Sequence, residues 1–137
     1  MIALYIVLAH MVGDYLIQSH WMASEKTKHW WPAIAHGITY TLPYGAINLL
    51  PNMADTVSIP ALLVIASTHI VIDRFRLARH VVWLKNQAGP KKHRPIWADA
   101  KATGYPSNTP PWLAVWLMIV ADNTLHLLIN TASIIWL

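Results

Sequence analysis

Charged residues are missing from long stretches of this chain. Residues 29–54, 56–72, 102–121 and 123–137 hold no Asp, Glu, Lys or Arg, and residues 1–24 hold one, Asp14. About 20 mainly apolar residues cross a bilayer as a helix. The pattern therefore predicts four transmembrane helices, near 1–23, 31–50, 59–83 and 110–136. Local signals agree with these limits. Pro32 suits the first turn of the second helix, Ser58 and Pro60 the cap and first turn of the third, and Thr109-Pro110-Pro111 the start of the fourth. Pro43 lies deeper and is expected to kink the second helix. The expected fold class is all-α: an integral membrane four-helix bundle, one transmembrane domain over 1–137, with a basic segment at about 84–109.

Composition supports that picture. The chain is 55% hydrophobic and 12% charged, against roughly 25% charged in soluble domains. It has no cysteine, which excludes a disulfide framework and a thiolate metal site. The net charge of +4 does not point to nucleic acid, because a nucleic-acid binder would not place its remaining residues in long apolar runs. All the Lys and Arg residues fall in the first and third connections or the adjoining helix ends. The positive-inside rule then places those connections in the cytoplasm and both termini outside. The first helix lacks a basic leader and carries His10 and Asp14, so it is not expected to be a signal peptide.

Polar residues inside the apolar stretches carry the chemistry. His10 and Asp14, His69 and Asp73, and (in reverse order) Asp122 and His126 are each four residues apart, which sets both members on one helix face. His36 stands on the remaining helix. At ~1.5 Å per residue, Asp14, His36 and Asp122 lie roughly 12, 8 and 18 Å from the cytoplasmic ends of their helices, at overlapping depths. An aspartate near the centre of a membrane helix costs roughly 2.5–3.5 kcal/mol, so three cost on the order of 8–10 kcal/mol unless a cation, proton, partner or water offsets them. Interhelical hydrogen bonding and an ion or proton relay are two ways to do so. A bound metal is the third, and three pairs at one spacing favour it. Imidazole and carboxylate suit Zn, Mn or Fe. The expected ligands are His10, Asp14, His36, His69, Asp73, Asp122 and His126, around one or two divalent ions. Two ions against three carboxylates leave a formal charge near +1, attractive to an anion. Gln18, Tyr40 and Asn130 continue these faces, and Arg76 follows Asp73 by three residues. All four are weaker candidates for supporting contacts or substrate binding.

The segments H-M-V-G-D-Y-L-I-Q (10–18), His36, H-I-V-I-D (69–73) and D-N-T-L-H (122–126) resemble small bacterial and phage membrane proteins catalogued as domain of unknown function 3307. The likeness covers most of the chain apart from 84–109. Members usually have Phe after the first Asp, where this chain has Tyr15. The resemblance implies the architecture and the importance of the His and Asp residues. It implies no substrate.

The expected function is a metal-dependent integral membrane hydrolase of the cytoplasmic membrane, acting on a phosphoester or pyrophosphate of a lipid or nucleotide. Its expected partners are the bilayer and an anionic lipid or phosphorylated small molecule, with no nucleic acid; the oligomeric state is left open. A divalent-ion or proton transporter built on the same residues is the alternative, as is a non-catalytic membrane factor with a structural metal.

Overall fold

The computed structural model describes residues 2–137. Among them there is no strand: the chain is all-α. It divides into two compact units, one of Met1–Phe75 with His126–Leu137 and one of Arg76–Leu125.

The first unit opens with helix α1, Ile2–Met11, which continues as a π-helical segment over Val12–Ile17. The single helix expected over 1–23 ends there. Gln18 turns extended, and its Nε2 donates to the Asp14 carbonyl at 2.7 Å, supplying a donor that the interrupted helix no longer provides. Ser19 then caps helix α2, His20–Glu25, its Oγ accepting from the Met22 N–H at 3.3 Å.

Helix α3, Trp30–Ala46, has Pro32 in its first turn and holds Pro43 one turn from its end, where it tightens into a 3₁₀ turn, Ile47–Leu49. Asn48 closes the next loop. Its Nδ2 donates to the Val57 carbonyl at 2.8 Å, and its Oδ1 accepts the Val57 N–H at 2.9 Å. Ser58 caps helix α4, Ile59–Phe75, accepting from the Ala61 N–H at 3.1 Å.

Small residues bring α1, α3 and α4 close. A Cβ on Gly13 would lie 2.7 Å from Tyr40 Cδ2 and 3.0 Å from the Tyr40 carbonyl oxygen, and one on Gly37 would overlap Ile70. Such close backbone approach is how helices pack where small residues face each other. The core beneath is Ile6, Ala9, Tyr40, Tyr44, Ile47, Val57, Ala61 and Ile65.

The helix expected over 59–83 is two helices. Arg76 adopts a left-handed conformation (φ 52°, ψ 49°) between α4 and helix α5, Leu77–Asn86. That geometry costs a non-glycine residue roughly 1–2 kcal/mol. The second unit consists of α5, the basic turn Lys91–His93, helix α6 at Trp97–Ala100, and the start of helix α7, Pro111–Trp136. Its polar segment is folded around Trp97, which stacks on His80 and meets Trp83 edge-on. Trp83 Nε1 donates to the Pro95 carbonyl at 3.0 Å, and Asn86 Nδ2 to the Gly104 carbonyl at 2.9 Å. Gly104 has a φ of +83°, and a side chain there would collide with the α5 backbone at Arg79 and Trp83.

Helix α7, with 26 residues, is the one helix among the described residues long and apolar enough to cross a membrane. The expectation of four such helices is therefore met in length by α7 alone. The interruptions at Gln18 and Arg76 are what shorten the first and third.

Candidate metal centre

Two of the three predicted pairs face each other within the first unit. His10 lies in the last turn of α1 and Asp14 in the π-helical segment; His10 Nε2 is 3.6 Å from Asp14 Oδ2. His69 and Asp73 lie on successive turns of α4, with Nε2 and Oδ2 3.1 Å apart. His36 projects from α3. All are buried: the three imidazoles are 0% exposed and the two aspartates 7% and 8%.

Four donor atoms converge. His36 Nε2 lies 2.9 Å from His69 Nε2, 3.1 Å from Asp14 Oδ1 and 3.3 Å from Asp73 Oδ2. His69 Nε2 lies 3.5 Å from Asp14 Oδ1 and 3.1 Å from Asp73 Oδ2. These are five of the six edges of a tetrahedron. Four ligands held tetrahedrally at ~2.0–2.1 Å from a zinc-like ion are separated by about 3.3 Å. The donor set, two imidazole nitrogens and two carboxylate oxygens, suits such an ion. Hydrogen bonding accounts for the same atoms less well, because each ring nitrogen carries at most one proton yet Nε2 of His36 faces three neighbours. These buried groups could hold a metal ion.

The surrounding residues orient the donors. His126, on the part of α7 in this unit, sets its Nδ1 3.2 Å from His69 Nδ1. When His69 donates that hydrogen bond, its Nε2 is left as a lone pair aimed at the tetrahedron, the arrangement by which an outer partner fixes a ligand's tautomer. The Tyr40 ring stacks on His69, with centroids 3.6 Å apart and planes 15° from parallel. The Tyr40 hydroxyl lies 2.7 Å from His10 Nδ1 and 3.1 Å from the Tyr44 hydroxyl. Asn130 Nδ2 donates to both hydroxyls, at 2.6 and 2.7 Å.

The seven expected ligands are placed as follows. Asp14, His36, His69 and Asp73 form the tetrahedron, and His10 and His126 flank it. Asp122 belongs to the second unit, half-buried one turn before His126 on α7. Among the weaker candidates, Gln18 braces the Asp14 carbonyl, and Tyr40 and Asn130 join the polar chain around His10. Arg76 Nη2 donates to the Ala102 carbonyl within the second unit.

Two residues of the centre were missed in the sequence. Lys26 Nζ lies 2.6 Å from Asp73 Oδ2, with 16% of its side chain exposed. Lys26 stands in the short polar connection after α2, and a contact across 47 residues leaves no local signal. Tyr44 was recoverable, because it extends the 36–40 face of α3 by one turn.

A family model described as "Protein of unknown function (DUF3307)" matches residues 2–102, a stretch that includes all four tetrahedral donors and Lys26. No curated protein and no solved structure matches the chain.

Proposed function

We propose, from the premise that this chain belongs to the DUF3307 family, that it is a metal-dependent integral membrane hydrolase of phosphoesters. The tetrahedral set of Asp14, His36, His69 and Asp73, with Lys26 on one of its oxygens, is the observation that carries this reading. An ion held there would act as a Lewis acid and lower the pKa of an attacking water. A catalytic centre needs a position that substrate can enter. Asp73 is the corner suited to yield it, since Lys26 already competes for its Oδ2 and its carboxylate can swing toward the ammonium. With an ion bound, Lys26 would be near enough to receive a phosphoryl oxygen, and whichever of Asp14 and Asp73 was off the ion would accept a proton from the attacking water.

The membrane placement rests on α7 and on the surface. Only 11% of the most apolar stretch of α7 is buried within the protein, whereas the core helix of a soluble domain would be mostly covered. Trp112 and Trp136, 67% and 80% exposed, stand about 36 Å apart at ~1.5 Å per residue, which suits aromatic rings at the two headgroup levels. Helices α3 and α4, at 17 residues each, reach the lower limit of ~17–25 residues for a span. In this reading four segments cross the bilayer, with residues 84–109 cytoplasmic and both termini outside. Labelling of a Lys92→Cys variant in intact cells by an impermeant thiol reagent is expected to fail; labelling from outside would reverse the orientation.

A second reading, ion transit, is favoured by one observation: His10, Tyr40, Tyr44 and Asn130 continue the polar chain beyond the tetrahedron. Sealed proteoliposomes separate the two. The hydrolase is expected to release phosphate from phosphorylated lipids or nucleotides, and Lys26→Gln to slow that release about 10- to 100-fold, equivalent to losing one hydrogen bond to a charged group. Divalent-ion or proton flux that Asp14→Asn abolishes, without hydrolysis of any substrate, would replace the hydrolase by a transporter.

A further inference from the structure

The second unit has a cavity of its own, of about 500 Å³, whose walls include Lys92, His93, Arg94, Ile96, Asp99 and Asn108. Its volume falls in the range of ~300–1,000 Å³ typical of small-ligand sites. The segment around it is strongly basic: between residues 84 and 109 stand Lys85, Lys91, Lys92, Arg94 and Lys101, against Asp99 as the one acidic residue. The backbone of the cavity is held in place. Pro95 is buried, and its carbonyl accepts from Trp83 Nε1 and from Gln87 Nε2, each at 3.0 Å. The Ser107 N–H donates to Asp99 Oδ2 at 3.1 Å, which ties the 106–108 side to α6. Arg94 Nε donates to the Gly89 carbonyl at 2.9 Å, which orients the guanidinium and leaves its two terminal nitrogens to a ligand. Among the described residues, no carboxylate forms an ion pair with Lys92 or Arg94.

We infer that this cavity binds the headgroup of an anionic glycerophospholipid, a phosphodiester that carries hydroxyl groups, at the surface of the bilayer. The inference rests on the membrane placement proposed above and is independent of the hydrolysis: the occupant is a lipid of the surrounding membrane, not a substrate. Charge selects it first. Lys92 and Arg94 supply the cations that a phosphate needs, and a guanidinium with both terminal nitrogens available can grip two of its oxygens. Asp99 returns one negative charge, so with a neutral His93 the named walls have a formal charge near +1. That suits a singly charged phosphodiester better than a dianion. Asp99 and Asn108 also offer oxygens to which headgroup hydroxyls can donate. Position along the chain selects a lipid over a soluble ligand. Asn108 precedes Pro111, the first residue of α7, by three residues, so the two are at most about 11 Å apart. The headgroup layer is itself ~5–7 Å deep on each face of a bilayer, and the exposed Trp112 ring suits that level. Ile96, 70% exposed on the cavity wall, adds an apolar surface that matches the first methylenes of a lipid and nothing in a free phosphate.

The test uses the full-length protein in phosphatidylcholine nanodiscs, with chain-spin-labelled phosphatidylglycerol, phosphatidic acid and phosphatidylcholine as the probes. Electron paramagnetic resonance reads the fraction of each probe that the protein immobilises. Phosphatidylglycerol is expected to be held at least fivefold more tightly than phosphatidylcholine, and more tightly than phosphatidic acid. One Lys or Arg at an anionic lipid surface changes affinity about fivefold. Lys92→Gln/Arg94→Gln therefore removes the preference, whereas Lys85→Gln/Lys101→Gln, which deletes the same charge outside the cavity, retains it. All four side chains are exposed, so both variants keep the fold. Equal losses in the two double variants, or a ranking by charge with phosphatidic acid first, would show a diffuse attraction and overturn the inference. Soluble glycerophosphoglycerol that binds as tightly as the lipid in calorimetry would overturn it in favour of a water-soluble phosphodiester. Protein that stays dispersed without detergent and does not enter nanodiscs would overturn the membrane placement and the inference with it. A preserved lipid preference in a protein that hydrolyses nothing would support the headgroup site and remove the hydrolase alone.

Discussion

Stripping divalent metal from the purified protein with a strong chelator is expected to lower its apparent Tm by on the order of 10 °C. An ion that binds the native state at a thousand times its Kd stabilises that state by about 4.1 kcal/mol, and a chain of this size shifts by about 2–4 °C per kcal/mol. The sign follows from the centre itself. Asp14 and Asp73 bring two carboxylates into a buried site that Lys26 alone neutralises in part. Removing the ion leaves a net negative charge out of water, which costs several kcal/mol unless it is paired. Scanning calorimetry of chelated and metal-loaded protein, with elemental analysis of each sample, checks the shift. Readdition of zinc should restore the original Tm. A His69→Ala/Asp73→Ala variant loses an imidazole and a carboxylate from the tetrahedron, so its Tm should be low and insensitive to the chelator. Identical melting of loaded and metal-free wild-type protein would reduce the centre to a hydrogen-bonded core.

Tyr40→Phe is expected to destabilise the protein by about 2–4 kcal/mol while leaving its metal content nearly unchanged. The hydroxyl is a junction: His10 Nδ1, Asn130 Nδ2 and the Tyr44 hydroxyl all lie within 3.1 Å of it. Tyr40 is completely buried, so water does not replace the lost oxygen, and each deprived polar group costs about 1–3 kcal/mol. Phenylalanine retains the ring that stacks on His69, which is why the tetrahedral donors should keep their positions. Tyr44→Phe should cost less, since Tyr40 and Asn130 would still bond each other. Thermal melts of the two variants, with metal counted by elemental analysis, give the comparison. Loss of the metal in Tyr40→Phe would mean that the hydroxyl, through His10, positions the donors directly.

Much of the centre was legible because helical spacing is a local property. His69 and Asp73 are four residues apart, and a regular α-helix leaves them on one face with Nε2 and Oδ2 in reach. The same spacing at His10 and Asp14 also put them side by side, but the turn carrying Asp14 is π-helical, and an argument from a 3.6-residue period cannot show that. It also cannot show the break at Arg76. No proline or glycine marks it, and the sequence F-R-L continues the apolar pattern. Asn130 and Tyr40 were visible as continuations of polar faces, although their hydrogen bond across 90 residues was not. The first and third helices were overestimated for one reason: a charge-free stretch shows where a chain can be apolar, not where its backbone remains continuous. Residues 1–24 are nearly free of charge and yet turn at Gln18 and Ser19.

Every donor of the tetrahedron lies between residues 14 and 73, whereas His126 and Asn130 belong to the last helix. A ribosome therefore completes the donor set before α7 exists. At ~5–20 residues per second, the remainder of the chain takes several seconds to synthesise. During that interval the four donors would lack the His126 imidazole that lies against His69 and the Asn130 amide that bonds Tyr40. An ion captured then would meet an open cup, and arrival of α7 would shut it. The pool available during translation would accordingly bias which ion the centre first takes up, ahead of slower exchange through the finished protein.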